Sequence, residues 1–145
     1  MEFRKALRTD LDGIFELVKG LALYEKEPDS VTATIDDYHK AFDEGLINAF
    51  VAIEDNEIIG MAFYYMTFST WRGHMLYLED FYVKDEYRSK GIGQDLFDLF
   101  INEAKSLGCA LAKWEVLDWN KKAIKFYERN GALVESHWWT CKMIF

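Results

Sequence analysis

A glycine-containing turn, Arg88-Ser89-Lys90-Gly91-Ile92-Gly93, is the feature that most constrains how this chain folds. The segment before it, 75–83, is apolar and aromatic on both faces, as in the central strand of a sheet. Glycines let a backbone approach a ligand closely, and a helix N-terminus attracts anions such as a pyrophosphate. The turn therefore predicts either an anion site, with Arg88 and Lys90 adding positive charge, or a purely structural junction. It opens a helix whose apolar residues recur at helical spacing: Ile92, Leu96, Phe97, Phe100, Ile101 and Ala104.

The turn matches neither of two well-known phosphate-binding motifs. It lacks the Gly-Lys-Ser/Thr ending of a Walker A loop. It also has only two glycines, fewer than a dinucleotide-binding fingerprint requires. Both motifs are therefore excluded for this turn.

The remaining segments alternate between strand and helix patterns around this unit. Helices are predicted from Thr9-Asp10 to about 21, from Thr34 to about 44, from the glycine turn to Gly108, and over about 121–130. Strands are predicted at 3–6, 49–54, 58–68, 75–83, 110–116 and 138–145, with a bulge at Gly60. The central strand–helix–strand order implies a parallel pair flanked by hairpins. The length suits a single α/β (α+β) domain over 1–145, with a mixed sheet of about six or seven strands.

The net charge of −8 argues against a nucleic-acid partner, because phosphate backbones are bound by basic patches. This charge is unevenly spread along the chain. Acidic residues dominate 25–44, whereas basic residues dominate 88–90 and 121–129. Either both regions are solvated faces, or a cationic substrate is drawn to one side while an anionic cofactor is held at the other.

The sequence shows no pattern for membrane insertion, secretion or metal binding. No apolar stretch approaches the roughly 20 residues that span a bilayer, and the N-terminal residues lack a secretory signal. Cys109 and Cys141 lie far apart without metal-ligand spacing, which favours two reduced thiols in or near the core. We therefore expect a cytoplasmic protein with no membrane partner and no metal site.

The pattern Arg-x-x-Gly-x-Gly at 88–93 resembles the acetyl-CoA signature of the GNAT superfamily of N-acetyltransferases, which also follows a central strand and opens a long helix. One branch, the diamine and polyamine acetyltransferases and their thialysine-acetylating relatives, is similar over most of the chain. The matching stretches are 76–83, 86–88, 116–120 and 123–131, and more loosely 23–25 and 69–73. The resemblance implies the GNAT fold, with helices on both faces of a twisted mixed sheet. Its two central parallel strands splay apart around acetyl-CoA, and the protein is a homodimer.

The resemblance assigns acetyl-CoA to the central strand, the turn and the last helix. Backbone N–H groups of the central strand would polarise the thioester carbonyl, as an oxyanion site does. Asn120 matches an asparagine that contacts the pantetheine arm in relatives; it is also a candidate N-cap, and the two roles are compatible. The cofactor-binding residues implied are Phe81, Tyr82, Val83, Arg88, Ser89, Lys90, Gly91, Ile92, Gly93, Asn120 and Tyr127.

Amide formation needs a neutral amine, and only about one alkyl ammonium ion in a thousand is deprotonated at neutral pH. The resemblance favours Glu79, in the central strand, as the base that removes the proton; the alternative is a carboxylate paired with a structural Arg or Lys. Asp80 has a supporting or substrate-side role. In a regular strand it points away from Glu79, so both line one cleft only if the strand bulges. Tyr127 matches the family's proton donor to the leaving thiolate, the alternative being an aromatic residue on a buried helix face.

Acidic and aromatic side chains together suit a cationic substrate. The resemblance places such residues around the amine: Tyr24, Glu25, Glu27, Trp71, Glu79 and Asp80. Relatives that act on polyamines have an acidic residue before the loop tryptophan, where this chain has Ser69 or Thr70. The segment 135–139 also departs from their acidic-glycine-tryptophan pattern. A long polyamine would lose partners for its distal amines, so a diamine or a lysine analogue such as thialysine is favoured.

The expected activity is acetyl transfer from acetyl-CoA to a primary amine of a small cationic substrate, by direct attack in a ternary complex. A covalent route through Cys109 is disfavoured, because the preceding helix end destabilises a thiolate. Two alternatives stay open. A protein acetyltransferase acting on N-termini or lysines would need an open groove, against which the covering segment 24–29 argues. A non-catalytic acyl-CoA-binding module would lack Glu79 or Tyr127, and both are present.

Overall fold

The computed structural model describes residues 1–145, which divide into two units, 1–114 and 115–145. The first unit contains five strands: β1 (Glu2–Lys5), β2 (Asn48–Glu54), β3 (Glu57–Ser69), β4 (Gly73–Val83) and β5 (Leu111–Lys113). It also contains three α-helices: α1 (Leu11–Tyr24), α2 (Ile35–Asp43) and α3 (Ile92–Ser106). The second unit contains α4 (Lys121–Arg129). None of the helices combines the length and apolar character needed to cross a membrane. A single domain over the whole chain stays a prediction.

The five strands form one mixed sheet in the order β1-β2-β3-β4-β5. Neighbours are antiparallel except β4 and β5, which are parallel, as the strand–helix–strand pattern predicted. The parallel pairing extends only from Met75 opposite Leu111 to Tyr77 opposite Lys113. Beyond this point β4 continues over 78–83 with no strand along that edge. The pairing of the two parallel strands therefore ends midway along β4, which leaves the edge of β4 at 78–83 unpaired on that side.

Helices cover both faces of the sheet because the strands alternate two sets of apolar residues. On one face, here called the α3 face, α3 packs on a cluster that includes Phe50, Ala52, Tyr64, Leu76 and Leu78. On the other, the α1–α2 face, α1 and α2 pack on a cluster that includes Ala49, Val51, Met61 and Phe63. The predicted stripe of α3 is confirmed, since five of its six residues are buried: Ile92, Leu96, Phe97, Phe100 and Ala104. Each of the four larger side chains contributes about 1.5–3 kcal/mol when it is fully removed from water.

The helix and hairpin boundaries follow the local signals of the sequence. Thr34 and Asp37 form the predicted capping box of α2, in which each side chain accepts the other residue's backbone N–H. The turn between β2 and β3 has positive φ at both Asp55 (50°) and Asn56 (62°), as a two-residue hairpin with a type I′ turn requires. The strand register shifts next to Gly60, where a bulge was predicted. The start of α1 differs: the Asp10 carboxylate accepts from the backbone N–H of Leu7 and does not cap α1.

The C-terminal segment departs from the predicted topology. The strand predicted at 138–145 is absent, and this segment has no regular secondary structure. That prediction rested on β-propensity, which produces a strand only where a partner ladder and a packing surface are available. The side chains of Trp139 and Phe145 are fully or almost fully exposed. Cys141 is also exposed, which corrects its expected place near the core, whereas Cys109 is partly buried and both thiols are free.

Candidate functional site

A bulge in β4 changes which side chains face the two sides of the sheet. Asp80 pairs with Phe63 and Leu78 pairs with Tyr64, so Glu79 is an extra residue without a partner in β3. Before the bulge, Leu78 packs on the α3 face; after it, Val83 does. The alternation has therefore moved by one residue, and Glu79 and Asp80 both lie on the α1–α2 face. The exception that the period-two rule allowed, a bulged strand, is the arrangement found.

The two carboxylates line one cavity of about 450 Å³ on the α1–α2 face. Its polar residues are the acids Asp37, Glu79 and Asp80 and the tyrosines Tyr38 and Tyr65. Its apolar residues are Ala41, Leu46, Ile47 and Phe63. The arrangement suits a compact cation with a hydrocarbon stem, because the negative groups attract the charge and the apolar residues accept methylene groups.

Glu79 is exposed at the mouth of this cavity. Its Oε2 accepts a hydrogen bond of 2.9 Å from the Tyr65 hydroxyl, and the Tyr65 ring stacks on Tyr77 with a centroid separation of 5.4 Å. None of the ion pairs in the structure involves Glu79 or Asp80. The structural pairing with Arg or Lys that was the alternative for Glu79 is thus not what the structure contains.

Asp80 lies deeper than Glu79 and has the more strongly perturbed acidity. Burial raises the pKa of the Asp80 carboxyl to about 7, and the negative charges of Glu79 and then Glu25 add to the effect. The same environment raises the pKa of the Tyr38 hydroxyl to about 12, first through burial and then through Asp80 and Glu79. A carboxyl with this pKa exchanges its proton near neutral pH, whereas Tyr38 stays neutral.

The glycine turn presents backbone donors at the start of α3. Ser89 and Gly91 both have left-handed backbone conformations, with φ of 63° and 81°. Gly91 is the N-cap residue of α3 and provides no side chain to satisfy the N–H groups of the first helical turn. A helix start of this kind, beside Lys90, fits a pyrophosphate.

Arg88 does not extend freely from the turn. Its Nε donates a hydrogen bond of 2.9 Å to the Val83 carbonyl, and its Nη1 lies 3.1 Å from Asp85 Oδ1. Its guanidinium carbon lies 4.8 Å from the ring centroid of Tyr24 and 5.3 Å from that of Tyr82. Arg88 therefore joins the turn to the end of β4 and to the C-terminal end of α1.

The other residues predicted to bind the substrate lie outside the cavity lining. Trp71 is in the turn between β3 and β4 and is 85% exposed. Glu27 accepts a hydrogen bond from the Ser30 hydroxyl. Glu25 is partly buried, which raises the pKa of its own carboxyl, and its charge also acts on Asp80. The Glu25 charge thus acts on the Asp80 carboxyl, although Glu25 does not line the cavity. Trp71 is not part of the cavity lining either.

In the second unit, the two predicted residues have clear local settings. The side-chain Oδ1 of Asn120 accepts the backbone N–H of Ala123, so Asn120 is the N-cap of α4. Tyr127, on α4, is 7% exposed, and its ring meets Phe126 edge to face at 5.6 Å. These facts are compatible with the predicted roles, which stay predictions.

Sequence reasoning missed the residues that α2 and β3 contribute to the cavity, namely Asp37, Tyr38 and Tyr65. Asp37 was correctly assigned to the capping box, but its additional place in the cavity lining was not predicted. The excess of acidic residues over 25–44 was the available signal. It could not indicate which carboxylate faces the sheet.

Comparisons with known proteins place the chain in a defined group. The profile of the acetyltransferase (GNAT) family matches residues 10–132. The thialysine N-epsilon-acetyltransferase of Bos taurus is 35% identical over 151 residues, covering 95% of this chain and 88% of that protein. The human spermidine/spermine N(1)-acetyltransferase-like protein 1 is 33% identical over 91% of this chain and 20% of that protein.

Solved structures agree with the fold. An aminoglycoside acetyltransferase from an uncultured soil metagenomic sample superposes with a TM-score of 0.83, covering 99% of this chain and 95% of that one. Its sequence identity is 16%, so the likeness concerns the fold alone.

Proposed function

Because the chain belongs to the GNAT family of acetyltransferases and is an acetyl-CoA-dependent N-acetyltransferase, we propose that it acetylates a primary amine of a small cationic acceptor. One observation carries the proposal: the β4 bulge places Glu79 and Asp80 together in a cavity with tyrosines and an apolar floor. The relatives named for thialysine and for spermidine or spermine support a small amine. They do not favour a protein substrate or a non-catalytic acyl-CoA-binding module.

The turn and the open edge of β4 fit acetyl-CoA, which enzymes of this family use. The backbone N–H groups at 89–93 and the Lys90 ammonium would hold the pyrophosphate. The edge of β4 at 81–83 would hold the pantetheine arm, and the family resemblance assigns Asn120 a contact with the same arm. When bound, acetyl-CoA supplies the thioester carbon that accepts the amine and the thiolate that leaves.

We infer that Asp80 removes the proton from the acceptor ammonium, directly or through a water molecule. A base is most effective when its pKa lies near the working pH, and the Asp80 pKa of about 7 meets this condition. Glu79, which the family resemblance favoured as the base, would hold the ammonium at the mouth of the cavity together with Tyr65. Backbone N–H groups at the β4 bulge would stabilise negative charge on the thioester oxygen.

Tyr127 would donate a proton to the departing thiolate. The balanced reaction forms one C–N bond and breaks one C–S bond; an ammonium and a thioester give an amide, a thiol and one proton released to solvent. The thiols of Cys109 and Cys141 do not line the cavity, and burial raises the pKa of the Cys109 thiol, which disfavours its thiolate. Direct attack by the amine in a ternary complex is therefore the proposed route.

Thiol release from acetyl-CoA, measured with putrescine, spermidine, thialysine, lysine and a lysine-containing peptide, tests the proposal. We expect turnover with one or more of the free amines and none with the peptide, since the relatives named for thialysine and for spermidine or spermine support a small amine. Acetylation of the peptide alone would establish a protein acetyltransferase. An absence of turnover despite acetyl-CoA binding would leave only a binding module.

Gly91→Ala is expected to raise the dissociation constant of CoA about tenfold, because the loop must shift the N–H groups that bind phosphate. A Cβ at Gly91 has space but the φ of 81° is unfavourable, at about 1 kcal/mol. Titration calorimetry with CoA measures the effect. Gly108→Ala is the matched control, because Gly108 has a similar φ of 74° and equal space at the far end of α3. Equal CoA affinities in the two variants would contradict the assignment of the turn.

The homodimer and the cytoplasmic location belong to the same proposal. The first was implied by the family resemblance, and the second was an expectation from the sequence. Both stay predictions.

A further inference from the structure

We propose that Asp37 of α2 selects the acceptor, favouring one with a second cationic group and disfavouring one with a carboxylate at the same end. This inference rests on the proposed function, since it concerns the far end of the amine that Glu79 and Asp80 receive. It distinguishes diamines from amino acids, which the relatives' names and the sequence leave open.

The Asp37 carboxylate is held in a fixed orientation with one oxygen unused. Its Oδ2 accepts hydrogen bonds from the backbone N–H of Thr34 at 2.7 Å and from the Thr34 hydroxyl at 3.2 Å. Its Oδ1 has no hydrogen-bond partner, and no lysine or arginine pairs with the carboxylate. A charged group that is already oriented binds a cation with little loss of side-chain entropy.

Tyr38 gives the same wall a rigid aromatic surface. Its ring meets Phe15 at 5.0 Å and Phe63 at 6.2 Å, both edge to face, which fixes its position in the cavity. The Tyr38 hydroxyl stays neutral at physiological pH because burial and the β4 carboxylates raise its pKa to about 12. Tyr38 can therefore contact an ammonium group or donate a hydrogen bond, but it supplies no positive charge.

The cavity has no group that could neutralise a carboxylate. Its lining contains three acids, Asp37, Glu79 and Asp80, and neither lysine nor arginine. Asp37 is exposed at the rim of the cavity, so an α-carboxylate placed on the α2 side would stay partly solvated but would lie beside the like charge of Asp37 with no cationic partner, which is unfavourable. An ammonium in the same place would approach the Asp37 Oδ1, while the stem lies on apolar residues such as Ile47 and Phe63.

A matched pair of acceptors isolates this difference. Lysine and 1,5-diaminopentane have the same chain between their two amines and differ only by the α-carboxylate. We expect the wild-type chain to acetylate the diamine with the higher kcat/KM. In Asp37→Asn, the ratio of the two kcat/KM values should fall about fivefold, the usual scale for a partly solvated charge pair.

Asp36→Asn is the matched control. Asp36 is exposed on the same turn of α2 and does not line the cavity. Its substitution by asparagine therefore removes one negative charge from α2 at a position that does not contact the acceptor. Asp36→Asn should keep the wild-type ratio. Thr34→Ala keeps the Asp37 charge but removes the hydroxyl, one of the two groups that orient its carboxylate, so a smaller fall in the ratio than in Asp37→Asn is expected.

The outcomes separate this inference from the proposed function. Equal ratios in Asp37→Asn and Asp36→Asn, or a wild-type preference for lysine, would overturn the role of Asp37 and leave small-amine acetylation intact. Failure of the wild-type chain to acetylate any free amine would overturn the proposed function and the inference with it. A fall in the ratio in Thr34→Ala equal to that in Asp37→Asn would show that helix order, not charge, sets the preference.

Discussion

Asp80→Asn is expected to lower kcat/KM for the acceptor amine about 10²- to 10³-fold, within the range that general-base catalysis contributes. The substitution keeps the size of the side chain and removes the group that takes the proton. Wild-type kcat/KM should fall on the acid side as Asp80 becomes protonated, with a midpoint near the pKa of about 7. In the variant this acid limb should disappear. Steady-state rates from pH 5.5 to 9, with acetyl-CoA saturating, measure both effects.

Glu79→Gln is the control that distinguishes the two neighbouring carboxylates. We expect a smaller loss, about tenfold, because Glu79 is exposed and holds the amine with Tyr65. The acid limb should persist and move to lower pH, since the charge of Glu79 is one of the causes that raise the Asp80 pKa. If Glu79→Gln instead gives the larger loss and removes the limb, the base is Glu79.

The sequence predicted much of the fold because its signals are local. The stripe on α3, the capping box of Thr34 and Asp37, and the glycine turn each act within a few residues. The parallel pairing of β4 and β5 followed from the strand–helix–strand order of the chain. The segment 138–145 also has high β-propensity but forms no strand, because propensity alone does not provide a neighbouring strand to pair with.

The site was less predictable, because its geometry depends on one extra residue in β4. No composition pattern marks Glu79 as the bulged residue, and the period-two rule alone sends Asp80 to the α3 face. The bulge leaves the Glu79 carboxylate exposed and the Asp80 carboxylate more deeply buried, so the two adjacent carboxylates have different environments. Asp37 and Tyr38 are brought to the cavity by the packing of α2, which is a tertiary contact and leaves no signature at their own positions.

Asp80→Asn is also expected to stabilise the protein at pH 8, by up to about 4 kcal/mol. The ordinary pKa of the Asp80 carboxyl is 3.8, and the folded-state pKa is about 7. Between these values the folded chain keeps a proton that the unfolded chain releases, so the free energy of unfolding falls as pH rises through this window. The penalty is complete above pH 7 and absent below pH 4. Urea unfolding of the wild type and the variant at pH 5 and pH 8 measures the difference.

Comparing the free energies of unfolding of the variant and the wild type separates the effect of Asp80 from that of carboxylates whose pKa values are lowered on folding. Ion pairs with Arg4 and Arg8 lower the pKa values of Asp10 and Asp43, so their contribution is present at both pH 5 and pH 8 and is lost only in stronger acid. Asp36→Asn provides the exposed control and should be neutral at both values. An Asp80→Asn variant that is inactive yet no more stable than wild type at pH 8 would mean that folding does not raise the pKa of the Asp80 carboxyl. The raised pKa would then no longer argue for Asp80 as the base, and the pH profile of Glu79→Gln would decide between the two carboxylates.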